Sequence, residues 1–187
     1  MNYFETIKCH DYEIFNIEYH QQRIARTVGK NFNLQEYIYP TNGDLLRCKV
    51  VYDEDEIIDI TFTPYSIKKI HSFQLIYDDQ IEYNFKYQNR KDIEKLLEKK
   101  KEADEIIIIK NNLVSDTSIA NIAIYIENQW FTPKKPLLLG TTRARYLDRV
   151  IIKEKDISVE MLQKAEKIAL LNAMIDFKEI DEYTLLV

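Results

Sequence analysis

A run of four consecutive isoleucines, in EIIIIK at residues 105–110, constrains the fold of this chain more than any other feature. A short, unbroken run of β-branched residues favours a strand that is buried on both faces. A second apolar run, IAIYI at 122–126, follows after the polar stretch LVSDTSIAN, and Asn111-Asn112 lies at the first join. Because asparagine tolerates positive φ, this pair predicts a tight turn between antiparallel strands. The sequence therefore predicts a buried β-meander that is interrupted by unexplained polar side chains.

Composition and charge exclude several classes of protein. The chain has 187 residues, is 45% hydrophobic and 30% charged, and is rich in tyrosine and phenylalanine, which favours β-structure. The net charge of −5, without a long basic block, argues against nucleic acid as a partner. No apolar run has signal or transmembrane length, and the His and Cys residues lack zinc-ligand spacing. We therefore expect a cytoplasmic protein without membrane contact, in which Cys9 and Cys48 are reduced thiols, with a disulfide as the alternative.

Residues 1–65 have the pattern of a small α+β domain. Strand-like segments on either side of His10-Asp11 predict one hairpin, and the segments DLLRCKVVY and EIIDITFT predict a second. Between the hairpins, a helix is predicted from its N-cap, its apolar face and its terminal glycine, which are Asn16, Ile17, Ile24, Val28 and Gly29. The polar stretch 66–70 is the predicted linker.

Residues 71–187 have the pattern of a larger domain with a mixed sheet or barrel. Beside the meander, the predicted elements are strands at 72–77 and 80–87 and helices at 89–104, 142–150 and 159–171, the last capped by Ser158. The whole chain is therefore predicted to be of the α+β class, with two domains.

The segment LLLGTTR is the first candidate for chemistry. Gly140, Thr141 and Thr142 stand where an apolar run gives way to a predicted helix. The start of a helix presents free backbone N–H groups and a positive dipole end, and with two hydroxyls this arrangement suits a phosphate. An ordinary helix cap is the alternative explanation.

Three charged residues are further candidates. Lys86 lies between Phe85 and Tyr87, and desolvation of its amine would favour imine chemistry. Asp116 lies within the meander, where an aspartate either forms a turn or faces a buried cation. Arg23 lies on one side of the first helix. A strand-edge lysine, a turn aspartate and a solvated arginine are the respective alternatives.

Taken in chain order, these segments resemble the fold type IV pyridoxal-phosphate enzymes, which include the branched-chain and D-amino-acid aminotransferases and aminodeoxychorismate lyase. FETIK followed by HQQR is similar to the family's opening strand and its His-x-x-Arg helix. This similarity implies that Arg23 binds the phosphate of pyridoxal 5′-phosphate (PLP). FKYQNR is similar to the lysine segment, which implies that Lys86 forms the imine (Schiff base) with the cofactor.

The later segments complete the resemblance. LVSDTSIANI is similar to the segment whose acid pairs with the pyridine nitrogen, although most members of the family have glutamate where this chain has Asp116. A fixed anion for a protonated ring would explain the polar interruption of the meander, with Asn121 satisfying buried polar groups. FTPKKPLLLGTTR and LLNAM are similar to segments that contact the ring and the phosphate, which implies such roles for Leu138 or Leu139, Gly140, Thr141, Thr142, Asn172 and Ala173.

The resemblance also implies a D-amino-acid aminotransferase-like fold with two domains, and a homodimer. The chain begins at the family's ETI strand and is shorter than typical members. In this respect it is similar to the lyase domain that some aminodeoxychorismate synthases carry, which implies a functional link to such a synthase.

The absence of two aminotransferase motifs favours the lyase reaction. That reaction releases pyruvate from aminodeoxychorismate and gives p-aminobenzoate for folate synthesis. Leu45 replaces the tyrosine of the branched-chain enzymes' Tyr-x-Arg pair, whose arginine corresponds to Arg47, and the Arg-x-His pair of the D-amino-acid enzymes is absent. Arg47 or Arg143 is predicted to bind a substrate carboxylate, while a surface position and a salt bridge are the respective alternatives. An aminotransferase for a small amino acid and a non-catalytic PLP-binding protein are the alternative functions.

Overall fold

The computed structural model describes residues 1–186, which form two compact units. The first unit is Met1–Ile67 with Phe85–Asn89, and the second is Lys68–Asn84 with the chain from Arg90 onward. The break after Ile67 falls within the stretch that the sequence predicts as the linker.

The segment Phe85–Asn89 is not where the sequence placed it, which was the larger domain. It belongs to the first unit because its backbone bonds to the N-terminal strand. The Phe4 N–H donates to the carbonyl of Lys86 at 2.9 Å, and the Gln88 N–H donates to the carbonyl of Asn2 at 3.0 Å. Lys86 is therefore carried by the small unit.

The first unit is an antiparallel sheet with one α-helix. Within the described chain its elements are β1 (Tyr3–His10), β2 (Glu13–Ile14), α1 (Ile17–Val28), β3 (Leu46–Tyr52) and β4 (Ile57–Pro64), with a 3₁₀ turn at Leu34–Glu36. The sheet order is β2-β1-β3-β4. One face packs on α1 around an apolar core that includes Ile7, Cys9, Ile24, Leu34 and Cys48. Both predicted hairpins and the predicted helix are confirmed.

Helix α1 begins and ends as predicted, but Asn16 is not a side-chain cap. Asn16 has a left-handed backbone with φ 53°, and its side chain accepts no capping hydrogen bond. A side-chain cap normally has an extended backbone at this position, and the left-handed turn takes the chain directly from β2 into the helix. Gly29 ends the helix with φ 72°, which a glycine adopts without strain.

The second unit contains a mixed sheet and three short α-helices within the described residues. Its elements are β5 (Ser72–Tyr77), α2 (Lys91–Leu97), β6 (Glu105–Lys110), β7 (Leu113–Thr117), β8 (Asn121–Ile126), β9 (Gln129–Pro133), α3 (Thr141–Asp148), β10 (Ile152–Lys155), α4 (Val159–Gln163), β11 (Lys167–Asn172), β12 (Asp176–Ile180) and β13 (Thr184–Leu186). The main path of the sheet is β10-β9-β8-β7-β6-β5-β13, and β11 pairs with both β8 and β12.

The β-meander is confirmed. Strands β6, β7, β8 and β9 are antiparallel neighbours in sequence order. The turns between them use positive φ at Asn111 and Asn112 and again at Glu127 and Asn128. Alternate isoleucines of β6 and β8 belong to one apolar core together with residues of β5 and β11: Ile107, Ile109, Ile122, Ile124, Phe73, Leu75, Ile168 and Leu170.

Two predicted elements are wrong. Residues 80–87 do not form a strand, because the side chain of Asp78 accepts the N–H groups of Gln80 and Ile81 and turns the chain away from β5. The predicted helix at 159–171 ends at Gln163, and its second half is the buried strand β11. Strand β11 lies between β8 and β12, where its apolar side chains are covered on both faces.

The fold class is therefore α+β, as predicted, with a mixed sheet in the larger unit. Among residues 1–186, no helix has the length and apolar character needed to cross a membrane.

Candidate active site

A buried charged cluster lies between β1 and α1 in the first unit. The carboxylate of Glu5, which is 0% exposed, accepts hydrogen bonds from Arg23 Nε at 2.8 Å and from His20 Nδ1 at 2.6 Å, and Arg23 Nη2 also contacts it. Burial opposes the charge on Glu5, but the charge of Arg23 and the two donors outweigh burial and lower the pKa of Glu5 to about 2. The guanidinium of Arg23 is thus held by a bidentate ion pair.

Lys86 lies beside the same strand. Its ammonium is 4.5 Å from the centre of the Phe4 ring, and its backbone carbonyl accepts the N–H of Phe4. Burial and then the charges of Arg23 and Lys86 lower the pKa of His20, against the opposing effect of Glu5. The first unit therefore brings two predicted site residues, Arg23 and Lys86, to the first half of β1.

Asp116 lies on β7 in the second unit and is 4% exposed. One carboxylate oxygen accepts the Asn121 amide at 2.7 Å, and the other accepts the Leu138 N–H at 3.0 Å. Burial raises the pKa of Asp116 to about 7 despite these two donors and the more distant Arg143. Within residues 1–186, no Lys, Arg or His side chain forms an ion pair with it.

Asn121 joins Asp116 to the loop before α3. Its amide nitrogen donates to Asp116 and also to the carbonyl of Leu138 at 2.8 Å. A Cβ atom at Gly140 would lie 1.9 Å from the Asn121 side-chain oxygen, which is far inside van der Waals contact. The backbone at position 140 is extended, which any residue could adopt, so backbone strain does not explain the glycine. Glycine is needed because the loop passes against Asn121 and leaves no room for a Cβ atom.

The first turn of α3 has the properties of an anion site. Gly140 is its N-cap residue, and a glycine has no side chain that could form the cap hydrogen bond. Thr141 and Thr142 are buried in the first turn. The first N–H groups of a helix have no partner within the helix, so this end can donate to a phosphate.

Asn172 and Ala173 lie at the turn from β11 to β12. The side-chain oxygen of Asn172 accepts the N–H groups of Met174 and Ile175, at 2.9 and 3.1 Å. Its amide donates to the carbonyl of Ile119 at 3.3 Å, within the loop that joins Asp116 to Asn121. The second unit thus links the segments of Asp116 and Asn172 through side-chain hydrogen bonds.

The comparisons with known proteins identify the family. Residues 59–183 match the sequence profile described as amino-transferase class IV. This chain belongs to that family. A Haemophilus influenzae protein described as uncharacterized is 37% identical over 182 residues, which are 91% of this chain and 96% of that protein.

Solved structures agree with the class IV assignment. A Haemophilus somnus crystal structure, provisionally named 4-amino-4-deoxychorismate lyase, is 35% identical, covers 92% of this chain and 96% of its own, and has a TM-score of 0.86. A PLP-bound hypothetical aminotransferase from Mycobacterium tuberculosis is 15% identical, covers 98% of this chain and 81% of its own, and has a TM-score of 0.78. At 15% identity the latter likeness shows the fold alone.

The cofactor implied by the class IV family is PLP, and the second unit fits this group. The carboxylate of Asp116 is buried without a cationic partner among the described residues, and burial raises its pKa. A protonated ring nitrogen beside it would counteract this effect of burial, because a nearby cation stabilises the ionised carboxylate. The uncapped first turn of α3 suits the phosphate.

The two predicted substrate arginines have different surroundings. Arg143 is buried and donates to the Pro133 carbonyl at 2.9 Å and to Glu154 at 2.5 Å. It therefore fixes α3 to β9 and β10, as the salt-bridge alternative predicted, whereas its Nε forms no hydrogen bond among the described residues and its contact with substrate stays a prediction. Arg47 is exposed on β3, where its Nε donates to the hydroxyl of Thr63 at 3.2 Å.

Sequence reasoning did not find Glu5. The only local signal was its position in FETIK, where it alternates with Tyr3 and Ile7 on the face of β1 that packs on the core. A charged residue at such a position needs a buried partner. The partners are supplied by α1, which the sequence placed only as a neighbouring element.

Proposed function

We propose that this chain is a PLP-dependent enzyme that releases pyruvate from aminodeoxychorismate to give p-aminobenzoate. The observation that carries the proposal is the buried Asp116 carboxylate. It has two N–H donors but no cationic partner among the described residues, and a protonated ring nitrogen would supply the missing charge.

Each remaining group has a specific part in binding the cofactor. The first-turn N–H groups and the hydroxyls of Thr141 and Thr142 bind the phosphate, as Arg23 does. Asn121 keeps Asp116 in place and keeps the loop of Leu138 against it. Asn172 and Ala173 complete the phosphate site from the turn after β11. The side chain of Asn172 holds the shape of that turn by accepting two backbone N–H groups.

When bound, PLP supplies an aldehyde that condenses with amines and a ring that accepts electron density from an adjacent carbanion. Asp116 would supply the negative charge that keeps the ring nitrogen of bound PLP protonated. Lys86 would carry the reactive amine. With substrate bound, Lys86 would act as the general base at the amine-bearing carbon and would deliver a proton as pyruvate departs.

The lyase reaction is preferred to transamination for two reasons. The Haemophilus somnus protein that is 35% identical over most of both chains is provisionally named 4-amino-4-deoxychorismate lyase. The chain also lacks the tyrosine and the Arg-x-His pair that aminotransferases of the family carry, with Leu45 at the tyrosine position. We further propose that the enzyme is a homodimer that acts together with an aminodeoxychorismate synthase.

Pyruvate release tests the reaction. Purified protein loaded with PLP is incubated with aminodeoxychorismate, and pyruvate is followed by a coupled NADH assay with no amino-group acceptor present. Stoichiometric p-aminobenzoate and pyruvate are expected. The variant Lys86→Ala should lose this activity, whereas Lys99→Ala, which changes an exposed lysine of the second unit, should keep it.

Two other results would replace the proposal. Conversion of the bound cofactor to its amine form by a small amino acid, without pyruvate release, would identify an aminotransferase. Retention of PLP without either reaction would identify a non-catalytic binding protein.

A further inference from the structure

Arg90, the last residue of the segment FKYQNR, contacts the loop that follows Asp116. Its Nη2 donates to the backbone carbonyl of Ser118 at 2.5 Å, although the two residues are 28 positions apart. The side chain of Glu105, which is 4% exposed, accepts the backbone N–H of Ser118 at 3.2 Å. An arginine and a glutamate thus bind the two backbone groups of one residue. We call Arg90, Ser118 and Glu105 the loop clamp.

Asp116 lies where the pairing between β6 and β7 is interrupted. Ile107 pairs with Thr117 and Ile109 pairs with Val114, so two steps along β6 correspond to three steps along β7. The extra residue lies between Val114 and Thr117, in the part of β7 that contains Asp116. A β-bulge of this kind disrupts the ladder and changes the direction of a side chain. Pairing with β6 therefore does not by itself fix the carboxylate of Asp116.

The pairing of β7 with β8 is also short. Within residues 1–186, these two strands pair in register only at Asp116 and Asn121. The turn between them is closed by Thr117, whose N–H donates to the carbonyl of Ala120 and whose hydroxyl oxygen accepts the N–H of Ala120, both at 3.0 Å. Because the turn is tight, contacts that hold Ser118 also hold the strand ends at Asp116 and Asn121.

The loop clamp uses charged side chains to bind a neutral backbone. Hydrogen bonds to ionised groups are roughly twice as strong as neutral ones. Neither Arg90 nor Glu105 forms an ion pair within the described chain. Arg90 Nε and Ser118 Oγ are buried and have no hydrogen-bond partner among the described residues. Buried polar atoms without partners lower stability, so stability alone does not account for this arrangement.

We propose that the loop clamp positions Asp116 for its contact with the ring nitrogen of bound PLP. Arg90 and Glu105 are positioning residues, because both act through the backbone of Ser118 and the tight turn. The proposal rests on the cofactor assignment in the function proposed above, and it explains why the segment FKYQNR ends in arginine. Without the loop clamp, the interrupted strand would let the carboxylate move away from the ring nitrogen while the chain stays folded.

A comparison of two ligands tests the proposal without any turnover. One ligand is PLP, and the other is the analogue in which a C–H group replaces the ring nitrogen, so that it cannot pair with Asp116. In absorbance titrations of cofactor-free protein, wild type should bind PLP more tightly than the analogue. In Arg90→Met this preference should fall about tenfold, which corresponds to one charge-assisted hydrogen bond.

Two further variants accompany Arg90→Met. Arg90→Lys keeps a cation that can donate to the Ser118 carbonyl, and it should retain most of the preference for PLP. Arg149→Met removes an exposed arginine at the end of α3 and should leave the preference unchanged. If Arg90→Met does not fold, Arg90→Gln, which keeps a neutral donor, takes its place, and its preference should lie below that of wild type.

The two titrations separate this proposal from the proposed function. A purely structural contribution of Arg90 would weaken both ligands equally. A wild type that prefers PLP, with a preference that Arg90→Met or Arg90→Gln keeps in full, would therefore overturn the loop clamp and leave the proposed function standing. A wild type that binds both ligands equally would show that Asp116 does not pair with the ring nitrogen, and would overturn the cofactor assignment itself.

Discussion

Replacement of Glu5 by glutamine measures the contribution of the buried ion pair to stability. The pKa of Glu5 is about 2 in the folded protein, against an ordinary value of 4.5. A difference of about 2.5 pKa units corresponds to about 3 kcal/mol of folding free energy. Glu5 is fully buried, so solvent does not weaken this coupling. At pH 7 we therefore expect Glu5→Gln to lower the free energy of unfolding by about 3 kcal/mol or more, since Arg23 loses its counter-ion.

The sign of the pH dependence follows from the lowered pKa. Above pH 4.5 the carboxylate is ionised in both the folded and the unfolded state, so its stabilisation is complete. Between pH 4.5 and about 2 only the unfolded state takes up the proton, and the stabilisation is lost. The difference between wild type and Glu5→Gln should therefore be constant from pH 7 to 8, where His20 is neutral in both proteins, and the part due to Glu5 should be lost below pH 4.5.

Urea unfolding of both proteins between pH 3 and 8 is the assay. Glu54→Gln, in the exposed turn between β3 and β4, is the control and should change the free energy of unfolding by less than about 0.5 kcal/mol. If Glu5→Gln were as stable as wild type at pH 7, or if the difference did not vary with acid, the ion pair would not have the strength inferred here.

Two further predictions concern the second unit. Gly140→Ala forces a Cβ against Asn121 and should cost about 1–3 kcal/mol in thermal or urea unfolding and release PLP more readily, whereas Gly43→Ala, whose Cβ meets only ordinary contacts at 3.5 Å or more, should do neither; equal behaviour of the two variants would contradict the close approach. In cofactor-free protein, burial raises the pKa of Asp116 from 3.8 to about 7, so the folded state holds this proton more tightly than the unfolded state does. The resulting contribution to the free energy of unfolding is complete below pH 4 and is lost as the pH rises through 7. Relative to Asp116→Ala, the free energy of unfolding of wild type should fall by up to about 4 kcal/mol between pH 4 and 8, and saturating PLP should remove this fall. If the difference in free energy of unfolding between the two proteins did not vary with pH, the carboxylate would not be buried as described.

The sequence predicted the meander well because its signals are local. Four consecutive isoleucines favour a buried strand whichever strands lie beside them, and the isoleucines of β6 are buried. Asparagine tolerates a positive φ whatever the rest of the fold, and Asn111 and Asn112 both adopt one. Asp116 could be singled out for the same reason, since an acid between two buried strands must have a compensating partner.

The wrong elements are those whose structure depends on distant residues. The apolar run KIALLN fits a helix or a buried strand equally well by periodicity, and pairing with β8 and β12 decides for the strand. Residues 80–87 have a strand-like composition, yet the hydrogen bonds of Asp78 and the pairing of Lys86 with β1 take them out of the sheet.

The role of Glu5, which the sequence did not indicate, and the structural reason for Gly140, which the sequence did indicate as a candidate, both depend on contacts between distant parts of the chain. Glu5 acquires its role from His20 and Arg23 on α1, and the need for glycine at position 140 comes from the side chain of Asn121. Neither contact has a signature in spacing along the sequence, because the partners are separated by whole elements.

The central claim, that Lys86 carries the cofactor, is tested most directly by reduction with borohydride. PLP-loaded protein is treated with borohydride, digested, and analysed by mass spectrometry to locate the reduced pyridoxyl group. The account predicts a visible absorption band that disappears on reduction and a single stable label on Lys86, absent in Lys86→Ala. A label on another lysine, or no covalent label on a protein that retains PLP, would contradict it.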